Sequence, residues 1–246
     1  MTAATTPTEK AFEVMELLTK RRFVRFSDLV DEVGMSRTAA HRLLANLEQG
    51  RYLQRGAQGF EIGPRMHQLA AALVGTVLSG GSMQRILSEL SKLTGESCGL
   101  AILKGGEVEY VQSYVAGARL TSAFQPGHRG PLHCTSSGRI FLASMTKTNL
   151  EHFYASSPWT RFTANTICEA RLLRPIVEAT RRQGYAVTGS EFTVGLVGGA
   201  VPVRSPQGTL LGCLNIFAPA VRLSESDVHR LIPLLKHTSS KITDFF

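Results

Sequence analysis

The 246-residue chain lacks several patterns that would assign it at once, and each absence removes a class. Its four cysteines, Cys98, Cys134, Cys168 and Cys213, lie far apart with no CxxC or CxxxxH spacing. That argues against a zinc module, so no metal is expected, and it favours reduced, mostly buried thiols. No GxSxG, Walker A or GxGxxG segment is present, and the glycines between Gly195 and Gly199 have the wrong spacing for a phosphate turn. The longest apolar run, residues 69–78, is too short for a bilayer and reads as a helix. No N-terminal stretch joins a basic flank to an apolar core and a small-residue cleavage site, so the expected location is the cytoplasm.

Acidic residues are also in short supply. Twenty-seven lysines and arginines face 19 aspartates and glutamates, a formal charge of +8 that suits an anionic partner. Residues 1–75 hold ten basic against eight acidic groups, and the remainder seventeen against eleven. Bulk charge therefore does not pick out a nucleic-acid-binding half, and the placement of particular side chains must. With 43% hydrophobic and 19% charged residues, the chain reads as a folded globular protein of one large domain or two ordinary ones.

Residues 36–48, SRTAAHRLLANLE, carry the clearest placement. Ala40, Leu43, Leu44 and Leu47 recur at helical spacing on one stripe, leaving Arg37, Thr38, His41, Arg42 and Asn46 on or beside the other. Those polar groups are of the kind that read base edges and phosphates. Residues 27–33 read as a preceding short helix, Gly34 as the left-handed residue that ends it, and Ser36 as the cap of the next. Helix, glycine turn and capped helix make a helix-turn-helix, whose second helix enters the major groove of duplex DNA. Tyr52 and Leu53, then Phe60 and Ile62, flank residues 56–59 as a hairpin wing, with Arg55 near its tip able to reach a phosphate. Residues 8–20 supply a further helix, so 8–63 reads as a winged helix-turn-helix domain. Arg37 and His41 are assigned to base edges, and Thr38, Arg42, Asn46 and Arg55 to phosphates.

Residues 1–7 are polar and read as disordered. After Gly63-Pro64, residues 65–78 form an Ala/Leu/Val-rich helix ending at Gly80-Gly81, a connector over 64–81 greasy enough to pack on a second subunit. A helix over 82–93 stops at Gly95. Strands follow at 97–103 and 107–113 across Lys104-Gly105-Gly106, and another at 120–124. Ser136 or Ser137 caps a helix through Leu142, Thr146 starts another, and residues 168–183 form a basic helix closed by Gly184. Strands at 185–188, 199–204 and 209–217 precede a terminal helix capped by Ser224-x-x-Asp227. Antiparallel strands flanked by helices make residues 82–246 an α+β domain.

Taken together, these segments resemble the IclR-type bacterial transcriptional regulators over nearly the whole chain. KAFEVMELL, HRLLANLE and GFEIGPRMHQLA are similar to the family's opening helix, recognition helix and wing-to-linker stretch. LTGES, LAILKGGEVEYVQ, GPLHCTSSGRIFLA, RRQGYAV, GGAVPV and GTLLGCLNIFAPAVRLS follow its effector domain in order. The resemblance implies a GAF-like effector domain, dimerisation through the DNA-binding half and linker, and often a tetramer, so a homodimer or homotetramer is expected. Members often carry Ser-Thr where this chain has Thr38-Ala39. The glycine they place directly before the wing tyrosine sits one position earlier, as Gly50, with Arg51 in its stead.

In such domains the ligand lies between the concave sheet and the helices and loops above it. The segment Leu132-His133-Cys134-Thr135-Ser136-Ser137 leads into a helix, whose free amides at Ser136 and Ser137 would take a carboxylate. The resemblance puts Thr188, Gly198, Asn215 and Phe217 on the opposite wall, with Phe124 and Gln112 as further candidates. A glycine and an aromatic ring there suggest a larger, aromatic acid. His133-Cys134 invites a thiol-nucleophile reading, but a cysteine beside a strand end is more often buried filler, so no catalytic residue and no cofactor are assigned. The expected function is operator binding to double-stranded DNA, modulated by a small organic acid in the C-terminal domain. A DNA-binding architectural protein without an effector is the alternative.

Overall fold

The computed structural model describes residues 6–116, 124–156 and 159–246. The described chain divides into two compact units, one ending at Val74 and the other beginning at Gly75.

In the first unit, α1 (Pro7–Lys20) starts from a capping box in which the Thr6 hydroxyl accepts from the Glu9 amide and the Glu9 carboxylate accepts from the Thr6 amide. Thr6 and Pro7 therefore correct the expectation of disorder over 1–7, whose remaining residues lie outside those described. Helix α2 (Phe26–Asp31) begins and ends earlier than expected, because the Asp28 carboxylate takes the Arg25 amide at 2.8 Å and fixes Arg25 as the cap. Gly34 stands at φ +68° and turns the chain into α3 (Arg37–Gln49), capped by Ser36. The wing pairs β1 (Leu53–Arg55) with β2 (Phe60–Ile62) antiparallel, and Val24 adds a bridge to Phe60. Val14, Leu18, Leu29, Val33, Ala40, Leu44 and Leu53 form the core that these elements share. Helix α4 (Pro64–Leu78) follows, with Leu69 and Leu73, one turn apart, 45% and 57% exposed.

The second unit is built on a six-stranded antiparallel sheet in the order β5-β4-β3-β8-β7-β6. Its strands are β3 (Ser97–Lys104), β4 (Glu107–Tyr114), β5 (Arg129–Gly130), β6 (Ala186–Gly189), β7 (Leu196–Arg204) and β8 (Leu210–Pro219). Helices α5 (Gly81–Thr94) and α9 (Glu225–Thr243) pack on one face, and α6 (Ser136–Ser144) on the other, backed by α8 (Ala170–Gln183). Helix α7 (Lys147–Ser156) completes the elements. This is the expected α+β class. The strand expected over 120–124 lies outside the described residues except for Phe124, which sits in a turn and is buried. Strand β7 begins three residues before the expected 199, because Gly198 and Gly199 disguise a strand in which Gly199 has no room for a Cβ beside Val228 of α9.

All four cysteines are unpaired, three buried and Cys168 half-buried. Among the described residues no helix is long and apolar enough to cross a membrane.

Candidate functional sites

Helix α3 presents a polar face because its apolar positions are consumed by the core. Ala40 and Leu44 are buried and Leu43 and Leu47 half-buried, which leaves Arg37, Thr38, His41, Arg42 and Asn46 exposed. Arg37 and His41 lie one turn apart on one row, and Thr38, Arg42 and Asn46 on the adjoining one. The His41 ring rests against Phe26 of α2 with centroids 4.3 Å apart, which steers its outward edge. The Ser36 hydroxyl is taken by the Ala39 amide at 3.3 Å, so its part is to start the helix. Arg37 and Arg42 make no ion pair among the described residues. Arg55 differs from its expected role: it closes β1 rather than standing at the turn, and its guanidinium meets the Glu48 carboxylate at 2.9 Å and lies over the Phe60 ring. A phosphate contact there would have to displace an exposed pair worth about 0 to 1 kcal/mol.

In the second unit, the sheet register brings the candidate residues together. Gly198 of β7 pairs with both Thr188 of β6 and Phe217 of β8, so these three form one cross-strand row on the α6 face. A Cβ on Gly198 would meet only ordinary contacts, the nearest side chains being Ser136 and Thr188 at 3.5 and 3.7 Å, so the missing side chain opens space. Gly199 points the other way, where a Cβ would stand 2.4 Å from Val228 of α9. Asn215, one row along, donates from Nδ2 to the Ser137 hydroxyl at 3.3 Å while its Oδ1 is buried without a partner.

A narrow cleft lies between this row and α6. Phe124, Cys134, Thr135, Ser136, Thr188, Gly198, Asn215 and Phe217 line it, together with Tyr110, Glu191, Phe192, Thr193, Leu196 and Ile216. Phe124 and Phe217 stack at 4.0 Å, and Tyr110 meets Phe124 edge-on at 5.0 Å. The helix above is capped by Thr135, not by Ser136 or Ser137: the Thr135 hydroxyl accepts from the Gly138 amide at 3.1 Å and donates to the Pro131 carbonyl at 2.8 Å. Ser136 and Ser137 are therefore the first two helical residues, and their amides find no acceptor among the described residues. Free amides at the positive end of a helix are of the kind that take an anion, and of the two residues Ser136 lines the cleft.

Four candidates fall outside the cleft, each by a geometry of its own. Gln112 is turned to the other face, because β4 carries a bulge that shifts the register between Leu100 and Ala101. The extra residue inverts the alternation, so Tyr110 takes the wall and Gln112 reaches back to the Ser79 carbonyl at 3.3 Å. Leu132 is buried beneath α6, where a Cβ on Gly138 would collide with its backbone. His133 faces away, with Nε2 3.0 Å from the Thr160 carbonyl and its ring against Trp159 and Phe162. Ser137 is one layer in, held to Asn215. Burial pushes the Cys134 thiol up to about 12 and His133 below its ordinary value. A protonated thiol beside an imidazole turned elsewhere is not an activated nucleophile.

Sequence reasoning missed Tyr110 and Glu191. Tyr110 is turned to the cleft wall only by the bulge, which leaves no trace in the residue pattern. Glu191 comes after the last residue of β6, and its side chain is folded back on Arg139 of α6 at 2.5 Å.

Comparison with known proteins agrees with both halves. The model for the IclR helix-turn-helix domain matches residues 7–57, and that for the bacterial transcriptional regulator IclR C-terminal region matches residues 80–244. The chain is 27% identical over 240 residues to the probable transcriptional regulator SauR of Cupriavidus necator, covering 96% of this chain and 95% of that one. A putative transcriptional regulator from Rhodococcus sp. RHA1 superposes with a TM-score of 0.65 at 27% identity, covering 97% and 96%. The inducer-binding domain of a PobR double mutant from Acinetobacter, solved with 3-hydroxybenzoic acid, has the same fold at 24% identity and a TM-score of 0.63, covering 66% of this chain and 96% of that one. The chain belongs to the IclR family of bacterial transcriptional regulators, with a DNA-binding helix-turn-helix module and a C-terminal effector-binding domain.

Proposed function

We propose that this regulator works in the cytoplasm as a homo-oligomer that places paired winged helices on a near-palindromic operator, and that an aromatic carboxylic acid bound in the cleft changes operator affinity. The observation that carries the ligand class is one wall of the cleft facing the other. The unsatisfied amide of Ser136, at the start of α6 and on the cleft, offers a carboxylate a donor, with that of Ser137 one residue behind it, and the Phe124 and Phe217 rings offer an aromatic body an apolar wall. The benzoate-type ligand of the PobR domain has the same chemistry. On α3, Arg37 and His41 are the base-reading pair, with Thr38, Arg42 and Asn46 on phosphates. The exposed Leu69 and Leu73 of α4 supply an apolar stripe for a second copy, and the same helix is the continuous covalent link to the second unit.

Thermal melts of the full chain with a panel of acids test the ligand class. A ligand that binds only the native state stabilises it by about 2.7 kcal/mol at one hundred times its Kd. Benzoate and 4-hydroxybenzoate are expected to raise Tm, and glyoxylate and pyruvate to leave it unchanged. A rise confined to the two- and three-carbon acids overturns the aromatic reading.

A further inference from the structure

Glu191 has two roles that conflict once the cleft is filled. It lines the cleft, and its carboxylate is the partner of Arg139, which is 4% exposed. Arg139 also donates from one terminal nitrogen to the Val187 carbonyl at 3.1 Å, while its buried Nε has no acceptor. The Glu191 backbone is fixed: its carbonyl accepts from the Thr166 hydroxyl at 2.7 Å, and the Ser190 carbonyl from the Thr163 hydroxyl at 2.6 Å. Around the pair stand Glu225 at the start of α9, against Gly189, and Cys134 ahead of α6. Glu225 adds negative potential and the Cys134 thiol stays protonated. His133, kept towards its neutral form by burial, adds no positive charge.

The cleft thus has one buried cation and one buried carboxylate in balance at its side. An acid that reaches the α6 amides brings a second carboxylate into the same water-poor space, and two carboxylates sharing a site do not both stay ionised without a large cost. We propose that Glu191 sets the charge of the effector: the cleft takes a single carboxylate together with one proton, which goes to Glu191 as its hold on Arg139 loosens, and it rejects acids bearing two. The balance is simple. A carboxylate anion and a solvent proton enter, and Glu191 becomes a neutral carboxylic acid able to donate a hydrogen bond. Burial already pushes the Glu191 carboxyl up to about 7 against the pull of Arg139, so the proton is within reach near neutrality. This inference rests on the acid-binding reading above.

Calorimetry of the full chain with benzoate, in two buffers of different ionisation enthalpy at about pH 8, counts the protons. Uptake of up to one proton is expected, and the Kd should rise towards tenfold per pH unit above about pH 7. Terephthalate, a rigid dianion of similar width, should bind about tenfold or more weakly than benzoate. Glu191→Gln should abolish the uptake and flatten the pH profile; if that variant does not fold, the buffer dependence of the wild type decides alone. Benzoate binding with no proton exchange and a constant Kd, or terephthalate binding equally well, overturns the role of Glu191. Absence of heat at every pH, in protein that still binds its operator, overturns the aromatic-acid reading and this inference with it.

Discussion

Arg51 is a non-glycine residue at φ +60°, in the left-handed region, with its amide on the Glu48 carbonyl and its carbonyl taken by the Arg65 amide. A side chain there costs roughly 1 to 2 kcal/mol relative to glycine, part of which glycine returns through its freer unfolded chain. Arg51→Gly is accordingly expected to raise stability by about 1 kcal/mol, read as a shift in the denaturation midpoint at constant slope. Here the arginine that stands directly before the wing tyrosine marks a strained backbone position. The two neighbouring glycines of β7 separate in the same way. Gly199→Ala should destabilise by about 1 to 3 kcal/mol because its Cβ overlaps Val228, whereas Gly198→Ala should fold normally and weaken acid binding by narrowing the cleft. The residue pattern does not separate the two; only the register tells that they face opposite sides, Gly199 close-packed and Gly198 not. Glu191 adds a pH signature. Its folded carboxyl is raised from 4.5 to about 7, so the folded state holds more protons across that interval. The stability it contributes is full below about pH 4.5 and is lost as pH climbs through 7, a fall in Tm that Glu191→Gln should flatten.

At the scale of elements, patterns with a strong local cause were readable and those set by distant neighbours were not. Helices α3 and α9 carry their caps and stripes in the residues themselves, and the glycines Gly34, Gly95 and Gly184 that close helices stand at positive φ. The cap of α6 could not be chosen from Thr135-Ser136-Ser137, since any of the three hydroxyls qualifies. The Pro131 carbonyl decides, by accepting from Thr135 and holding its oxygen under the Gly138 amide. Thr135→Ala should cost about 1 kcal/mol in a denaturant melt, and it should weaken acid binding by loosening the turn that aims the Ser136 and Ser137 amides. Wild-type affinity in a variant of lowered stability would detach the anion site from the cap. The β4 bulge is the other illegible element, and it alone exchanges Gln112 for Tyr110 on the cleft wall.

For the molecule as a whole, family and fold class were legible because many segments agree in order, while net charge was a poor guide. The basic excess lies mostly outside the unit that holds the helix-turn-helix, so the proposed operator contact rests on placed side chains such as the exposed Arg37 and Arg42, without an ion pair among the described residues, rather than on an overall field. Arg37→Ala should cost about 1 to 3 kcal/mol of operator affinity and relax the preference at one base, as expected of a bidentate contact to guanine. The most direct test of the account is selection of genomic fragments by the intact chain at moderate ionic strength, followed by titration of the selected fragment with and without benzoate. Enrichment of a near-palindromic site is predicted, with affinity that drops steeply with salt and shifts about 5- to 150-fold on adding the acid. Equal affinity for selected and random duplex, unmoved by any aromatic acid, would contradict it.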